Sequence, residues 1–175
     1  DPGDEAVFPW ISFEAYPILA TLAGASLVRV PLRADGTHDL DAMAAAVTDR
    51  TRLVMVCTPN NPTGTCVSRD ELERLLARVP GNVLVAVDEA YVEFGGDSFI
   101  PHLDAWPNVV VGRTFAKAYG LAGMRVGAVV AREDVMARLR RVLPPYSLNV
   151  FVVAALEAAL ADRAYMDRYR AEVPE

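Results

Sequence analysis

Lys117 is the only lysine among 17 cationic side chains in 175 residues; all the others are arginine. A guanidinium stays protonated and is a poor nucleophile, whereas a desolvated lysine amine can lose its proton and form a Schiff base with a carbonyl. A solitary lysine is therefore a candidate for that chemistry, against the alternative of a chance survivor at an exposed turn. It lies in Arg113-Thr114-Phe115-Ala116-Lys117-Ala118-Tyr119-Gly120-Leu121-Ala122-Gly123-Met124-Arg125, just past the apolar run Val109-Val110-Val111. Two other apolar runs end in reactive residue types. Residues 83–87 lead into Asp88-Glu89-Ala90-Tyr91, and residues 53–57 into Thr58-Pro59-Asn60-Asn61-Pro62-Thr63-Gly64. Asp88 emerges from buried backbone, so its carboxylate either caps the next turn or faces a buried cation, where low dielectric strengthens the pair. Tyr91 falls near Asp88 if the chain turns helically there. Asn61 either closes a turn or offers its amide to a ligand oxygen. Arg125 is either a surface arginine or a fork matched to a phosphate.

The elements that must position these groups alternate between strand and helix. Residues 12–24 carry Phe13, Tyr16, Leu19, Ala20 and Ala23 at helical spacing and end on a glycine. Residues 27–30 read as a strand, Asp35-Gly36 as a turn, and Asp39 opens a helix over 40–47. The run 53–57 is a continuous apolar strand, as expected where helices cover both faces of a parallel sheet. Two prolines keep the loop after it extended. Ser68 with Glu71 predicts a capped helix over 69–78. Strands follow at 83–87, 108–111 and 125–131, then helices at 133–143 and 150–161 and a polar tail helix. This order predicts an α/β domain with a mostly parallel central sheet and helices on both faces. Ligands in such folds sit beyond the carboxyl ends of the strands, where Asn61, Asp88 and Lys117 fall.

Composition narrows the classes. Apolar content of 53% with 23% charged residues is that of a globular chain. A net charge of −6 with scattered arginines gives no footprint for nucleic acid. Cys57, Cys66, His38 and His102 make no metal-ligand cluster, and Cys57, at a strand end, reads as a buried free thiol. The absence of a disulfide framework fits a reducing, cytoplasmic setting. The acidic start, Asp1-Pro2-Gly3-Asp4-Glu5, is unlike a signal peptide. No apolar run approaches the ~18–20 residues that span a bilayer.

Asn60-Asn61-Pro62-Thr63-Gly64, Asp88-Glu89-Ala90-Tyr91 and the stretch from Thr114 to Arg125 occur in order, each after a strand. Together they resemble the fold type I pyridoxal-phosphate (PLP) aminotransferases, specifically the histidinol-phosphate aminotransferase family with its aromatic amino acid branch. The resemblance runs over essentially the whole chain. It implies that residues 1–175 are the central part of the large, PLP-binding domain, with helices from about 149 to 175 leading toward a small domain. It implies that Lys117 bonds to PLP through a Schiff base and then moves the substrate's proton. Asp88 would pair with the pyridine nitrogen so that the ring accepts electrons. Asn61 and Tyr91 would bond the phenolic oxygen of PLP, Arg125 and Thr114 would hold its phosphate, and Phe13 would stack on its ring. Phe13 alternatively is simply core. Ala116 departs from the serine usual before the lysine, which removes one phosphate donor. Family members also carry an N-terminal segment that would lie before Asp1 and a small domain that would lie after Glu175.

The reaction implied is transamination between a small-molecule amine donor and a 2-oxo acid acceptor. Histidinol phosphate with 2-oxoglutarate is the first expectation. The alternative is an aromatic amino acid such as phenylalanine, because Trp10-Ile11-Ser12-Phe13-Glu14-Ala15-Tyr16 is similar to the aromatic branch. A PLP lyase or decarboxylase would share Lys117 and Asp88, and a non-catalytic PLP-binding sensor domain would carry a DNA-binding module not visible here. Relatives are homodimers, so a homodimer is expected of the full-length protein.

Overall fold

The structure, a computed structural model, describes residues 1–173. Pro174 and Glu175, the end of the expected tail, lie outside the described residues. Six strands form one sheet: β1 (Glu5–Trp10), β2 (Ser26–Pro31), β3 (Thr51–Cys57), β4 (Leu84–Asp88), β5 (Val109–Thr114) and β6 (Gly127–Ala131). Their spatial order is β2-β1-β3-β4-β5-β6, parallel throughout except for β6, which pairs antiparallel with β5. The mostly parallel α/β sheet read from the sequence is therefore the observed fold. Hydrophobic periodicity reports burial and not chain direction, so the reversal at β6 was not readable from residues 125–131.

Valine-rich strands make the centre because β-branched side chains pack well on a pleated surface. On one face Val54, Val56, Val85, Val87, Val109 and Val111, all fully buried or nearly so, meet Met43 of α2 (Leu40–Ala45) and Leu72, Leu75 and Leu76 of α3 (Arg69–Leu76). Asp39 caps α2 by accepting from the Ala42 N–H, and Ser68 and Glu71 form the expected capping box on α3. The other face holds a smaller cluster, Ala6, Phe8 and Cys57, beneath Tyr16 and Ala20 of α1 (Ala15–Leu22). This helix starts three residues later than the spacing suggested. Ser12 gives its hydroxyl to Asn60 instead of capping a helix, which keeps the preceding residues in a loop. Its end is as expected, with Gly24 in the left-handed region at φ 74°.

Beyond the sheet lie α4 (Glu133–Leu139), α5 (Val150–Ala161) and α6 (Arg163–Ala171). Helix α5 buries Val152 but leaves Val150 and Phe151 about three-quarters exposed. None of the helices among the described residues is long and apolar enough to cross a membrane.

The strands that matter end level. Cys57 pairs with Asp88 and Asp88 with Gly112, so the carboxyl ends of β3, β4 and β5 form one rim. Chain reversal after β5 depends on Gly127, where a Cβ would sit 2.7 Å from the Arg113 carbonyl oxygen. That neighbour is backbone and cannot swing away. Gly127→Ala should therefore cost about 1–3 kcal/mol, the usual range for forced overpacking. Urea denaturation should show a lower midpoint at unchanged slope; an unchanged midpoint would mean that the β5–β6 pair relaxes freely.

Candidate active site

The loop after β3 is fixed by Asn60 rather than Asn61. Asn60 is buried, accepts from the Ser12 hydroxyl at 2.7 Å, and donates to the Ile11 carbonyl at 3.2 Å and to Thr63 Oγ1 at 2.9 Å. With its neighbour anchored, Asn61 is left to face a cavity of about 940 Å³. Tyr91 and Lys117 line the same cavity, with the loop from Pro59 to Cys66 on one side and Phe94 and Tyr169 on another. The Lys117 amine stands over the Tyr91 ring, 5.1 Å from its centre. Asn61, Tyr91 and Lys117, chosen from sequence on three separate segments, thus meet at one opening.

Asp88 closes β4 beside them. Its Oδ1 accepts from the Ala90 N–H at 3.0 Å, which is the turn-capping role the sequence allowed. Its Oδ2 accepts from the Tyr16 hydroxyl at 2.6 Å, a contact across 72 residues that nothing local announces. Burial, with Cys57 and Asp88 beside it, pushes the Tyr16 phenol far above its ordinary range, so it keeps its proton and acts as the donor. Burial first, and then Asp88, raise the Cys57 thiol in the same way, and it stays neutral.

The remaining three sequence candidates stand apart. Thr114 ends β5 and its hydroxyl accepts from the Ala116 N–H at 3.2 Å. Arg125 is exposed, with φ 54°, and donates to the Ala122 carbonyl at 2.8 Å. Phe13 packs edge-on against Tyr16 at 5.7 Å. The described residues lining the cavity include neither these three nor Asp88.

Two features escaped the sequence reading. The first is an ion cluster beneath the rim. Glu89 is fully buried and accepts from the Phe99 N–H at 2.6 Å and the Ser98 hydroxyl at 2.9 Å. Arg113 Nε lies 2.8 Å from Glu89 Oε2, although its N–H is not aimed at that oxygen, and Nη1 donates to Glu93 Oε1 at 2.7 Å. An arginine on an otherwise apolar strand, followed by no exposed pattern, was the available signal. The second is His38, buried near Asn60, with both ring nitrogens lacking a hydrogen-bond partner among the described residues.

A mostly parallel α/β sheet with an asparagine, a carboxylate, a tyrosine and a lysine at or just beyond adjoining strand ends is the arrangement expected of the aminotransferase fold. The sequence profile of the family described as Aminotransferase class I and II matches residues 1–174, and the chain belongs to that family. It is 56% identical over 164 residues to an aromatic amino acid aminotransferase of Streptomyces coelicolor, covering 91% of this chain and 45% of that protein. It is 50% identical over 181 residues to an aromatic amino acid aminotransferase of Thermobifida fusca, covering 100% of this chain and 50% of that protein. Among solved structures it is similar to the histidinol-phosphate aminotransferase of Sinorhizobium meliloti in complex with pyridoxal-5'-phosphate. That match has a TM-score of 0.90 at 29% identity and covers 98% of this chain and 48% of the other. The chain spans about half the length of the curated relatives it matches.

Breaking the ion cluster should be costly. Arg113→Met leaves Glu89 and Glu93 without their cation and should destabilise the fold by about 3 kcal/mol, as for other buried pairs that lose one partner. A loss under about 1 kcal/mol, measured by denaturant unfolding, would mean that water reaches these carboxylates. His38 makes a second, pH-dependent contribution. Burial holds its pKa below the ordinary 6.5. The unfolded chain therefore binds a proton that the folded one refuses, and stability falls as pH drops from about 6.5 toward the folded value. The urea midpoint should fall more between pH 7.5 and 5.5 in the natural protein than in His38→Gln; equal falls would remove His38 from the acid response.

Proposed function

We propose that the complete protein is a PLP-dependent aminotransferase that moves an amino group between an aromatic amino acid and a 2-oxo acid, and that this chain is the central part of its cofactor-binding domain. The observation that carries the substrate reading is identity. Relatives named for aromatic amino acids match at 50–56%, whereas a solved histidinol-phosphate enzyme matches at 29%. Histidinol phosphate, the first expectation from sequence, is the weaker choice on that ground.

The residues fit the cofactor. A cavity of about 940 Å³ is large enough for a small-molecule site, and it holds one lysine amine together with the Asn61 amide and the Tyr91 phenol. When bound, PLP supplies a ring that takes up the electron pair left at the substrate's Cα as its proton departs. Lys117 supplies the amine that holds the cofactor and, once freed, moves that proton. The aromatic face of Tyr91 beneath Lys117 Nζ keeps the amine over the site. Asp88 is assigned to the ring nitrogen, as a carboxylate already oriented by two donors. Asn61 and Tyr91 are assigned to the phenolic oxygen. Thr114 and Arg125 are assigned to the phosphate, for which Arg125 must turn its guanidinium away from the Ala122 carbonyl. Phe13 is assigned to the ring face, and at Ala116 no hydroxyl is present to assist.

The direct test compares phenylalanine with histidinol phosphate as donors to 2-oxoglutarate in the complete protein. Phenylalanine should have a kcat/KM at least tenfold higher; the opposite order would overturn the substrate reading. Lys117→Arg should abolish turnover while leaving the unfolding midpoint unchanged, and retained turnover would remove the lysine from the chemistry. Asp88→Asn should lower kcat at least a hundredfold. A loss below tenfold, about 1.4 kcal/mol of barrier, would return Asp88 to the status of a turn cap.

A further inference from the structure

We infer that Tyr16 is the positioning residue for Asp88: its hydroxyl holds the carboxylate in the orientation that meets a cationic ring nitrogen at the rim of the sheet. The inference rests on the assignment of Asp88 to the PLP ring and adds to it a residue from α1, which packs on the sheet face that carries Cys57.

The terminal torsion of an aspartate is broad, so one fixed oxygen does not fix the other. The Ala90 N–H holds Oδ1, but it belongs to the same turn as Asp88 and moves with it. Tyr16 is independent of that turn. It reaches Oδ2 at 2.6 Å from α1, and its own ring is immobilised by edge-on contacts with Phe8 at 6.4 Å and Phe13 at 5.7 Å. Only 3% of Tyr16 is exposed, so water does not compete for the hydroxyl. Its proton is secure as well, since burial opposes ionisation of the phenol.

Charge gives the arrangement its direction. Both donors to Asp88 are neutral. Among the described residues no cationic side chain makes an ion pair with it, whereas Glu5, Glu89 and Glu93 each have an arginine. A half-buried carboxylate that is oriented but not neutralised keeps its full charge for a cation that arrives from outside the chain. A lysine or arginine in place of Tyr16 would orient Asp88 equally well and would spend that charge. A phenol does the first without the second.

The test is a double-mutant cycle in the complete protein, read by equilibrium binding of PLP through its absorbance rather than by turnover. Tyr16→Phe keeps the ring contacts and removes only the hydroxyl. It should raise the PLP dissociation constant about tenfold, within the range for a hydrogen bond to a charged group. When Asp88→Asn is already present, the same change should cost less than twofold, because the oriented charge is gone. The pH midpoint of the bound cofactor's visible band should likewise move with Tyr16→Phe alone and stay fixed when Asp88→Asn is present. Equal losses in both backgrounds, or no loss in either, would make Tyr16 a packing residue and overturn the inference while leaving the PLP reading intact. If the natural protein fails to bind PLP, the proposed function falls and this inference falls with it.

Discussion

One guanidinium holds the ends of β4 and β5 at a fixed separation. Arg113 stands on β5, four residues before Lys117, and bridges Glu89 and Glu93 in the turn that follows Asp88. Three charges removed from water pay a desolvation cost that their attraction only partly returns, so the cluster is a poor source of net stability. Its value is geometric. A hydrophobic contact at this place could slide by an ångström with little loss, whereas Glu89 is gripped at both oxygens by the Phe99 N–H, the Ser98 hydroxyl and Arg113. The exits of β4 and β5 cannot then shift relative to one another without stranding a charge in the protein interior. Lys117 and Asp88 inherit that fixed relation.

The same contrast between charged and neutral ties separates the two sides of the rim. Below it, Glu89 is neutralised by an arginine and closed to solvent. One residue earlier, Asp88 receives only neutral donors and stays half-buried. Asp88 closes β4 and Glu89 lies just beyond it, and the two adjacent carboxylates meet opposite electrostatic surroundings. Glu89 is spent on architecture and Asp88 is left available.

Much of this was legible in the sequence. Continuous apolar runs identified β3, β4 and β5, although in β3 and β4 one face is fully buried and the other only partly covered. The abrupt change from Val87 to Asp88, the prolines around Asn60-Asn61 and the lone Lys117 marked where the buried strands end at the rim and its cavity. What stayed hidden has a common cause. The bond from Tyr16 to Asp88 spans 72 residues and that from Ser12 to Asn60 spans 48, and no local spacing encodes either one. Ser12 read as part of a helix because periodicity cannot tell that its hydroxyl is claimed elsewhere. Of two adjacent asparagines, residue type alone could not say which would be anchor and which would face the cavity. Arg125 matched a phosphate fork by type, yet its left-handed backbone and its bond to the Ala122 carbonyl are properties of the short helical turn, Ala122–Met124, that leads into β6.

These hidden contacts share a direction. Ser12 and Tyr16 both leave the segment after β1 and both end on the rim, one on the loop after β3 and the other on the last residue of β4. The first segment of the sheet to be followed by a helix thus stabilises groups supplied by the next two strands in space. A parallel sheet makes this possible, because every carboxyl end lies on the same side and a loop from one strand can reach its neighbours' termini. The cost is that the site depends on contacts of high sequence separation, which form only when the sheet has assembled. Asp88 is therefore held in its orientation only in the folded domain, which ties the geometry of the rim to the integrity of the sheet that carries it.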